Sequence, residues 1–278
     1  TRRSSDLGKI DSADLDDGYR NTPLHYAAKY GLLDIVERLL PRLSNANVEN
    51  MSRHTPLMLA LHNGHFQVAE KLVIKIGNVD EIDIHGEPLL HYAAAGGWLD
   101  IVYTLLAKAS NVNKPNKLGF TPLMLAIANG HVEVAMILLE NVRDIDLADG
   151  CGDTPLHYAA RMGLFDIVLN LLTKTIDPNE QNISGQTPLM LAIKWGRVKV
   201  AKLLLGRIDN VDQITYSGYT PLHFAAENGM LDIVLKLLTK TVLVNVKNNK
   251  GTTPSLLAKD KRHTEIAQLL SDWAFYVC

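Results

Sequence analysis

The side chains of this chain that could do chemistry are its ten histidines and two cysteines. A histidine can act as a general base or bind a metal ion, and a cysteine thiolate can act as a nucleophile. Each role needs partners of other types, such as a carboxylate that orients the histidine or further ligands that complete a zinc site. The residues around these side chains therefore decide which chemistry the sequence supports.

His62 and His65 are the histidine pair whose spacing most resembles a metal-binding pair. Gly64, which lies between them, ends a predicted helix, and no acid or cysteine is placed to complete a tetrahedral set. We interpret the pair as structural, and the sequence predicts no metal site.

Cys151 lies in a predicted turn with Asp149 and Asp153 close by. Neighbouring carboxylates raise the pKa of a thiol, so this cysteine is a poor nucleophile. The chain also lacks a phosphate-binding loop, a nucleophile elbow and a paired-carboxylate signature. We therefore predict no enzyme activity and no cofactor.

The overall composition excludes several classes of partner. A formal net charge of −2 provides no global attraction to nucleic acid or to an anionic membrane. Two cysteines are too few for a disulfide framework, and no apolar run is long enough to span a membrane. These features, with no visible signal peptide, predict an intracellular and cytoplasmic protein. The chain begins at Thr1, which fits a fragment of a longer protein.

The elements that position all of these residues follow from one repeated motif, Thr-Pro-Leu. Its successive threonines are 33 residues apart, as Thr22 and Thr55 are, or a multiple of that distance. Pro88 occupies the one slot without threonine. The slots are residues Thr22, Thr55, Pro88, Thr121, Thr154, Thr187, Thr220 and Thr253. A fixed period of this length indicates a stack of identical units, none of which buries its apolar face alone.

The residues of one period predict a turn, a helix, a short loop and a second helix. Thr22 is a good helix N-cap, and Pro23 fits the first helical position. Gly31 suits the left-handed residue that ends a helix, and Asp34 places an acid in the first turn of the next one. The predicted fold is an all-α repeat solenoid.

This unit resembles the ankyrin repeat, and the resemblance covers residues 13–270 as eight 33-residue repeats without an insertion. Thr-Pro-Leu-His-Tyr-Ala-Ala begins at Thr22 and at Thr154, and Thr-Pro-Leu-His-Phe-Ala-Ala begins at Thr220. The helix-ending glycines are Gly31, Gly64, Gly97, Gly130, Gly163, Gly196 and Gly229. The resemblance implies a curved stack with hairpin-like loops and a concave face, and it assigns the motif histidines to hydrogen bonds that hold the loops in register.

A second period, twice as long as the first, makes a 66-residue double unit. Repeats one, three, five and seven carry His25, His91, His157 and His223, each followed by Tyr or Phe. Repeats two, four and six carry Met and Leu at the same two positions. Packing of large side chains beside medium ones explains the alternation, as does duplication of a two-repeat block.

Basic residues recur at the end of the second helix in six repeats: Arg42, Lys75, Lys108, Lys174, Arg207 and Lys240. One interpretation is a cationic ridge for phosphates or acidic lipid headgroups. The other, which we favour, is that each cation complements the C-terminal end of its helix dipole, at about 0.3–1 kcal/mol.

The ankyrin resemblance implies partner binding along the concave face, formed by loop tips and the exposed side of the first helix. Apolar and aromatic residues occupy these slots, where polar residues are usual, and such residues anchor protein interfaces. They are Tyr19, Tyr30, Met51, Ile84, His85, Leu118, Phe120, Met162, Trp195, Tyr216 and Tyr219. We single out Phe120, Trp195 and Tyr219, and expect all three to be exposed. The alternative is that several of the eleven pack sideways against neighbouring tips.

The leading functional hypothesis is a non-catalytic scaffold or adaptor that binds another protein. The alternative is a targeting or regulatory array of a larger enzyme or host-directed effector whose catalytic domain lies outside this chain. Residues 1–12 are polar and predicted to be flexible, and residues 271–278 form an apolar tail or cap. A monomer is expected, with self-association through the segment from Trp273 to Val277 as the other reading.

Overall fold

The computed structural model describes the backbone of residues 15–277 and the side chains of residues 15–274. This range contains eight helix pairs, which confirms the predicted helical repeat. The first helices are α1 (Pro23–Lys29), α3 (Pro56–His62), α5 (Leu89–Gly96), α7 (Pro122–Ala128), α9 (Pro155–Met162), α11 (Pro188–Lys194), α13 (Pro221–Glu227) and α15 (Pro254–Asp260). The second helices are α2 (Leu33–Leu39), α4 (Phe66–Lys75), α6 (Leu99–Leu106), α8 (Val132–Asn141), α10 (Phe165–Leu171), α12 (Val198–Leu205), α14 (Leu231–Leu238) and α16 (Thr264–Val277). Residues 1–12, predicted to be flexible, lie outside the described range.

The chain divides into two compact units, Thr1–Val142 and Arg143–Cys278. The described part of the N-terminal unit contains α1–α8, and that of the C-terminal unit contains α9–α16. Within each unit, every first helix packs on its own second helix and on the first helix of the next repeat. Second helices of successive repeats also pack together, so each unit is a stack of four helix pairs.

The helix ends follow local sequence signals. Thr55 caps α3 by accepting a hydrogen bond at Oγ1 from the backbone N–H of Met58, at 3.3 Å. All seven predicted helix-ending glycines have positive φ, between 68° and 80°. Their lack of a β-carbon makes this left-handed conformation inexpensive, which is why the chain can reverse direction directly after each first helix. In repeat eight the same slot holds Arg262, with φ 64°.

The motif histidines tie each odd repeat to the hairpin loop of the next one. Nδ1 of His157 accepts a hydrogen bond from the backbone N–H of Thr154 at 3.2 Å, so Nε2 carries the proton and donates to the carbonyl of Gln186 at 3.1 Å. His25 and His223 make the same pair of contacts. The register role implied by the ankyrin resemblance is confirmed.

The alternation between odd and even repeats also has a hydrogen-bonding basis that our sequence analysis missed. In repeat five, the Tyr158 hydroxyl donates to Oδ2 of Asp149 in the preceding hairpin loop, at 2.6 Å. Repeats one and three have the same tyrosine–aspartate pair. In repeat seven both members change together, to Thr215 and Phe224, so that neither group is left unpaired.

Even repeats carry asparagine in place of that aspartate, and its amide reaches back to the preceding repeat. Asn182 Nδ2 donates to Oδ1 of Asp153 at 2.7 Å. Asn50 and Asn116 make equivalent bonds in the N-terminal unit. Asn248 Nδ2 is buried without a partner among the described residues, because Tyr219 replaces the acceptor residue in repeat seven. Aspartate thus satisfies a hydroxyl within its own repeat, and asparagine joins neighbouring repeats.

Two of the recurrent cations bind the end of the preceding repeat's second helix. Lys108 Nζ donates to the carbonyls of Val73 and Ile76 at 3.0 and 2.9 Å. Lys240 Nζ donates to the carbonyl of Ile208 at 2.6 Å. Such bonds satisfy carbonyls that a helix C-terminus leaves unpaired. These two cations therefore bind carbonyls at the end of the preceding repeat's second helix. We had expected each to stabilise the end of its own helix.

The C-terminal end of the last repeat is partly polar. Ser255 and Ser271 occupy slots that hold leucine in most other repeats, and their hydroxyls lie 2.8 Å apart. Helix α16 continues through the predicted tail to Val277, and Trp273 is partly exposed on it. The side chains of residues 275–278 lie outside the described range.

Candidate protein-binding surface

The hairpin loops have a common local geometry that points their tip residues outward. In repeat three, Oδ1 of Asp83 accepts hydrogen bonds from the backbone N–H groups of His85 and Glu87, at 2.8 and 2.9 Å. Because the carboxylate closes the turn from inside, Asp83 is buried while Ile84 and His85 at the tip are exposed. Asparagine closes the turns of the even repeats in the same way.

Neighbouring tips are joined by backbone hydrogen bonds within each unit. The N–H of Met51 donates to the carbonyl of Tyr19 at 3.0 Å, and the N–H of Tyr216 donates to the carbonyl of Ser184 at 3.2 Å. These bonds fix the spacing of the tip side chains, so a partner meets a preorganised surface.

Most of the eleven sequence-predicted residues are exposed. Those of the N-terminal unit are Tyr19, Tyr30, Met51, Ile84, His85 and Leu118, and those of the C-terminal unit are Met162, Trp195 and Tyr216. Tyr216 is 77% exposed and Trp195 is 53% exposed, values that are unusual for side chains of this size. In each unit these residues lie on loop tips or at the ends of first helices.

The expectation that Phe120 and Tyr219 are exposed is wrong. Both are half-buried. The ring of Tyr219 lies 5.1 Å from that of Phe224 and 5.4 Å from that of His223, centre to centre. Both positions directly precede the capping threonine, and the contacts of Tyr219 are with residues of its own repeat.

One exposed tip residue escaped the sequence analysis. Ile183, 61% exposed, occupies in repeat six the tip position that Ile84 and Tyr216 occupy in repeats three and seven. With Cys151 and Trp195 it lines a groove of about 290 Å³ in the C-terminal unit. Aligning the repeats by their period would have identified Ile183 as a tip residue from the sequence alone.

His65 and Cys151, considered above for metal binding and catalysis, differ in their surroundings. Nε2 of His65 lies 2.9 Å from the carbonyl of Lys29, and the His65 ring packs against Gly31. Cys151 is exposed and has no disulfide partner within the described residues. No group of histidine, cysteine or acidic side chains in that part of the chain could hold a metal ion.

Burial sets the charge state of the motif histidines. It lowers the pKa of His91 to about 4, and it also lowers the pKa of His25, His157 and His223. All four are therefore neutral at pH 7, as the donor-and-acceptor role of the His25, His157 and His223 rings requires. No described helix is both long enough and apolar enough to cross a membrane.

Stacked helix pairs with linked hairpin loops define a helical-repeat binding module. The family model for ankyrin repeats (three copies) matches residues 6–83, 70–149, 90–182, 143–215, 176–248 and 207–275. The chain belongs to the ankyrin-repeat family. A search of curated proteins finds no match to this sequence.

Proposed function

We propose that this chain is a non-catalytic scaffold that binds another protein through its loop tips and the adjoining ends of its first helices. Ankyrin repeats are generally protein-interaction modules, and repeat arrays present extended surfaces in place of enclosed pockets. The low cysteine content and the near-zero net charge support an intracellular, cytoplasmic setting.

The observation that carries the proposal is the exposed row of apolar side chains on the C-terminal unit's tips. Ile183 and Tyr216 lie on consecutive tips, and Trp195 stands at the end of the helix between them in sequence. Tryptophan and tyrosine supply much of the binding energy of protein interfaces, because burying one ring removes a large apolar area from water. Leaving these three apolar side chains exposed has no folding benefit.

The experiment compares partner capture by the wild-type chain and by an Ile183→Ala, Trp195→Ala, Tyr216→Ala variant. The matched control is Ile176→Ala, Val242→Ala, which removes side chains that are also exposed but lie in the loops after α10 and α14. We expect proteins captured by wild type and control to be lost from the tip variant, with thermal unfolding unchanged. Loss from both variants, or from neither, would contradict the proposal.

Light scattering on the same samples reports the oligomeric state. We propose a monomer, with mass independent of concentration. A mass that rises with concentration and falls on Trp273→Ser substitution would instead indicate self-association through the C-terminal segment.

A further inference from the structure

The N-terminal unit contains a hollow of about 420 Å³ on the surface of α5. Its lining includes Leu61, His62, Glu87, Tyr92, Ala95 and Trp98. The His62 ring lies 5.9 Å from the Tyr92 ring, centre to centre, in an edge-to-face arrangement. Small residues line this part of α5: Gly96 stands where every other repeat has a larger side chain, and Ala95 is matched only by Ala128 of repeat four. Gly96 also allows close approach of Trp98, since a β-carbon at residue 96 would lie 2.7 Å from the Trp98 ring.

Glu87 is the one acidic residue in this lining, and no lysine or arginine accompanies it. Asn116 Nδ2 donates to its Oε1 at 2.6 Å, and no other described residue donates to this carboxylate. Burial and the nearby charge of Asp83 raise the pKa of Glu87, against the Asn116 hydrogen bond and the charge of His85, which lower it. The charged carboxylate is therefore poorly compensated, and a cation within reach would stabilise it.

The C-terminal unit has the same arrangement two repeats further along the chain, with a cation present. Asp153 replaces Glu87, Tyr158 replaces Tyr92, and Arg161 replaces Ala95. The Arg161 guanidinium is paired with Oδ2 of Asp153, and its carbon lies 4.8 Å from the centre of the Tyr158 ring.

The remaining carboxylate oxygen has the same partner in both units. Asn182 Nδ2 donates to Oδ1 of Asp153 at 2.7 Å, as Asn116 Nδ2 does to Oε1 of Glu87. A carboxylate and an aromatic face together form a good site for a planar guanidinium, which bonds the first and stacks on the second. In repeat three the two receiving groups are present and the chain's own arginine is missing.

We propose that the hollow on α5 takes an arginine side chain of a protein partner, with the guanidinium bonded to Glu87 and lying against Tyr92. This inference rests on the proposed function and names a contact that the partner makes. The aliphatic part of the arginine would cover Ala95 and Gly96.

The test is an NMR titration of the full-length chain with arginine blocked at both termini, and with equally blocked norleucine and lysine. The chain has three tryptophans, so the indole N–H signal of Trp98 is assigned with a Trp98→Phe sample. We expect arginine to shift the Trp98 signal saturably, at millimolar concentrations, and norleucine to leave it in place. Lysine should bind more weakly, because an ammonium cannot bond and stack at once.

Two variants test the geometry. Glu87→Gln keeps the size of the side chain and should weaken arginine binding by roughly tenfold, since a charge-assisted hydrogen bond is lost. Ala95→Arg supplies in cis the cation that repeat five contains, and should abolish the shift while raising the thermal midpoint. Conversely, Arg161→Ala should open the counterpart site and make the Trp195 indole signal respond to arginine.

Equal shifts with arginine and norleucine, or full binding by Ala95→Arg, would overturn the proposal. Binding of lysine as tightly as arginine would overturn the guanidinium assignment. If Glu87→Gln does not fold by circular dichroism, Ala95→Arg and Arg161→Ala decide the outcome alone. The titration needs no partner protein. A negative titration would therefore overturn the arginine site without deciding whether Ile183, Trp195 and Tyr216 bind a partner, which the capture experiment tests separately.

Discussion

Nδ1 of His91 is buried and has no hydrogen-bond partner in the described part of the chain, because Pro88 occupies the position from which a threonine N–H serves the other three motif histidines. Proline has no N–H to donate, and it also leaves α5 without a side-chain cap. Glu87 does not replace the cap, since its carboxylate is bonded to Asn116. Among the first helices of the described N-terminal unit, α5 is thus the one that begins with neither a side-chain cap nor a capping box.

Pro88→Thr should stabilise the protein. Pro88 has φ −68° and ψ 158°, close to the values of the capping threonines, so threonine fits without strain. The new N–H and hydroxyl should together add about 1 kcal/mol to the free energy of unfolding, after the loss of proline's rigidity in the unfolded chain. Urea denaturation measures the gain, and amide exchange at the start of α5 should slow.

Pro88→Val is the matched control for that substitution. It restores the N–H without the hydroxyl, and it should recover only part of the gain. Equal amide exchange rates at the starts of α5 and α7 in wild type would contradict the expectation that Pro88 makes the start of α5 less stable.

Arg262→Gly should also stabilise the protein, by about 1 kcal/mol, because Arg262 is exposed and has φ 64° in the slot that holds glycine in the other repeats. Its β-carbon imposes local strain in this conformation. Arg262→Ala retains the β-carbon and should give no comparable gain. A thermal midpoint that rises equally for both variants would show that the arginine charge, and not its backbone conformation, is unfavourable.

The buried histidines should make stability fall in mild acid. His91 has an ordinary pKa of 6.5 and a folded-state pKa of about 4, so between these values the unfolded chain binds more protons than the folded one. The contribution of neutral His91 to the free energy of unfolding is therefore fully present above pH 6.5. It is lost as the pH falls towards 4, and the total loss is on the order of 3 kcal/mol.

Glu87 acts in the opposite direction, because its raised pKa favours the protonated form in the folded state. Urea midpoints at pH 7.5, 6 and 5 should nevertheless fall for wild type. In the His91→Gln variant, the free energy of unfolding should depend less steeply on pH between 6.5 and 5, by the equivalent of about one bound proton. An unchanged slope would show that folding does not shift the pKa of His91.

The tyrosine–aspartate pair of repeat five should behave as a unit. Tyr158→Phe leaves a buried carboxylate oxygen without its donor and should cost about 1–3 kcal/mol. The double variant Asp149→Thr, Tyr158→Phe copies repeat seven, where Thr215 Oγ1 closes the turn by accepting from the N–H of Tyr219 at 3.0 Å. Its cost should be smaller than the sum of the two single changes, by about 1–2 kcal/mol in a double-mutant cycle. Additive costs would mean that the two groups do not interact.

The recurrent cations should differ in their contributions. Lys108→Met removes two bonds to the end of α4 and should cost about 1 kcal/mol, whereas Lys75→Met, at an exposed residue, should change stability by less than about 0.5 kcal/mol. If both variants unfold like wild type while binding of phosphoinositide-containing vesicles disappears, the cationic-ridge interpretation would replace the structural one.

The sequence alone was enough to predict the fold. The cap at Thr55 and the turn at Gly31 depend on contacts within about one helical turn, so the residue types at those positions determine them. The repeat period then predicts that each helix pair packs on the next one. The family match confirms that prediction.

The candidate site needed the tertiary structure, because the exposure of a side chain depends on what the neighbouring repeat places beside it. Phe120 and Tyr219 occupy loop positions like those of exposed residues, yet each is half-buried. The hollow beside Glu87 likewise exists only because Ala95 leaves space that Arg161 fills two repeats later. Local contacts made the helices predictable, whereas contacts between residues of neighbouring repeats decided which surfaces remain free for a partner.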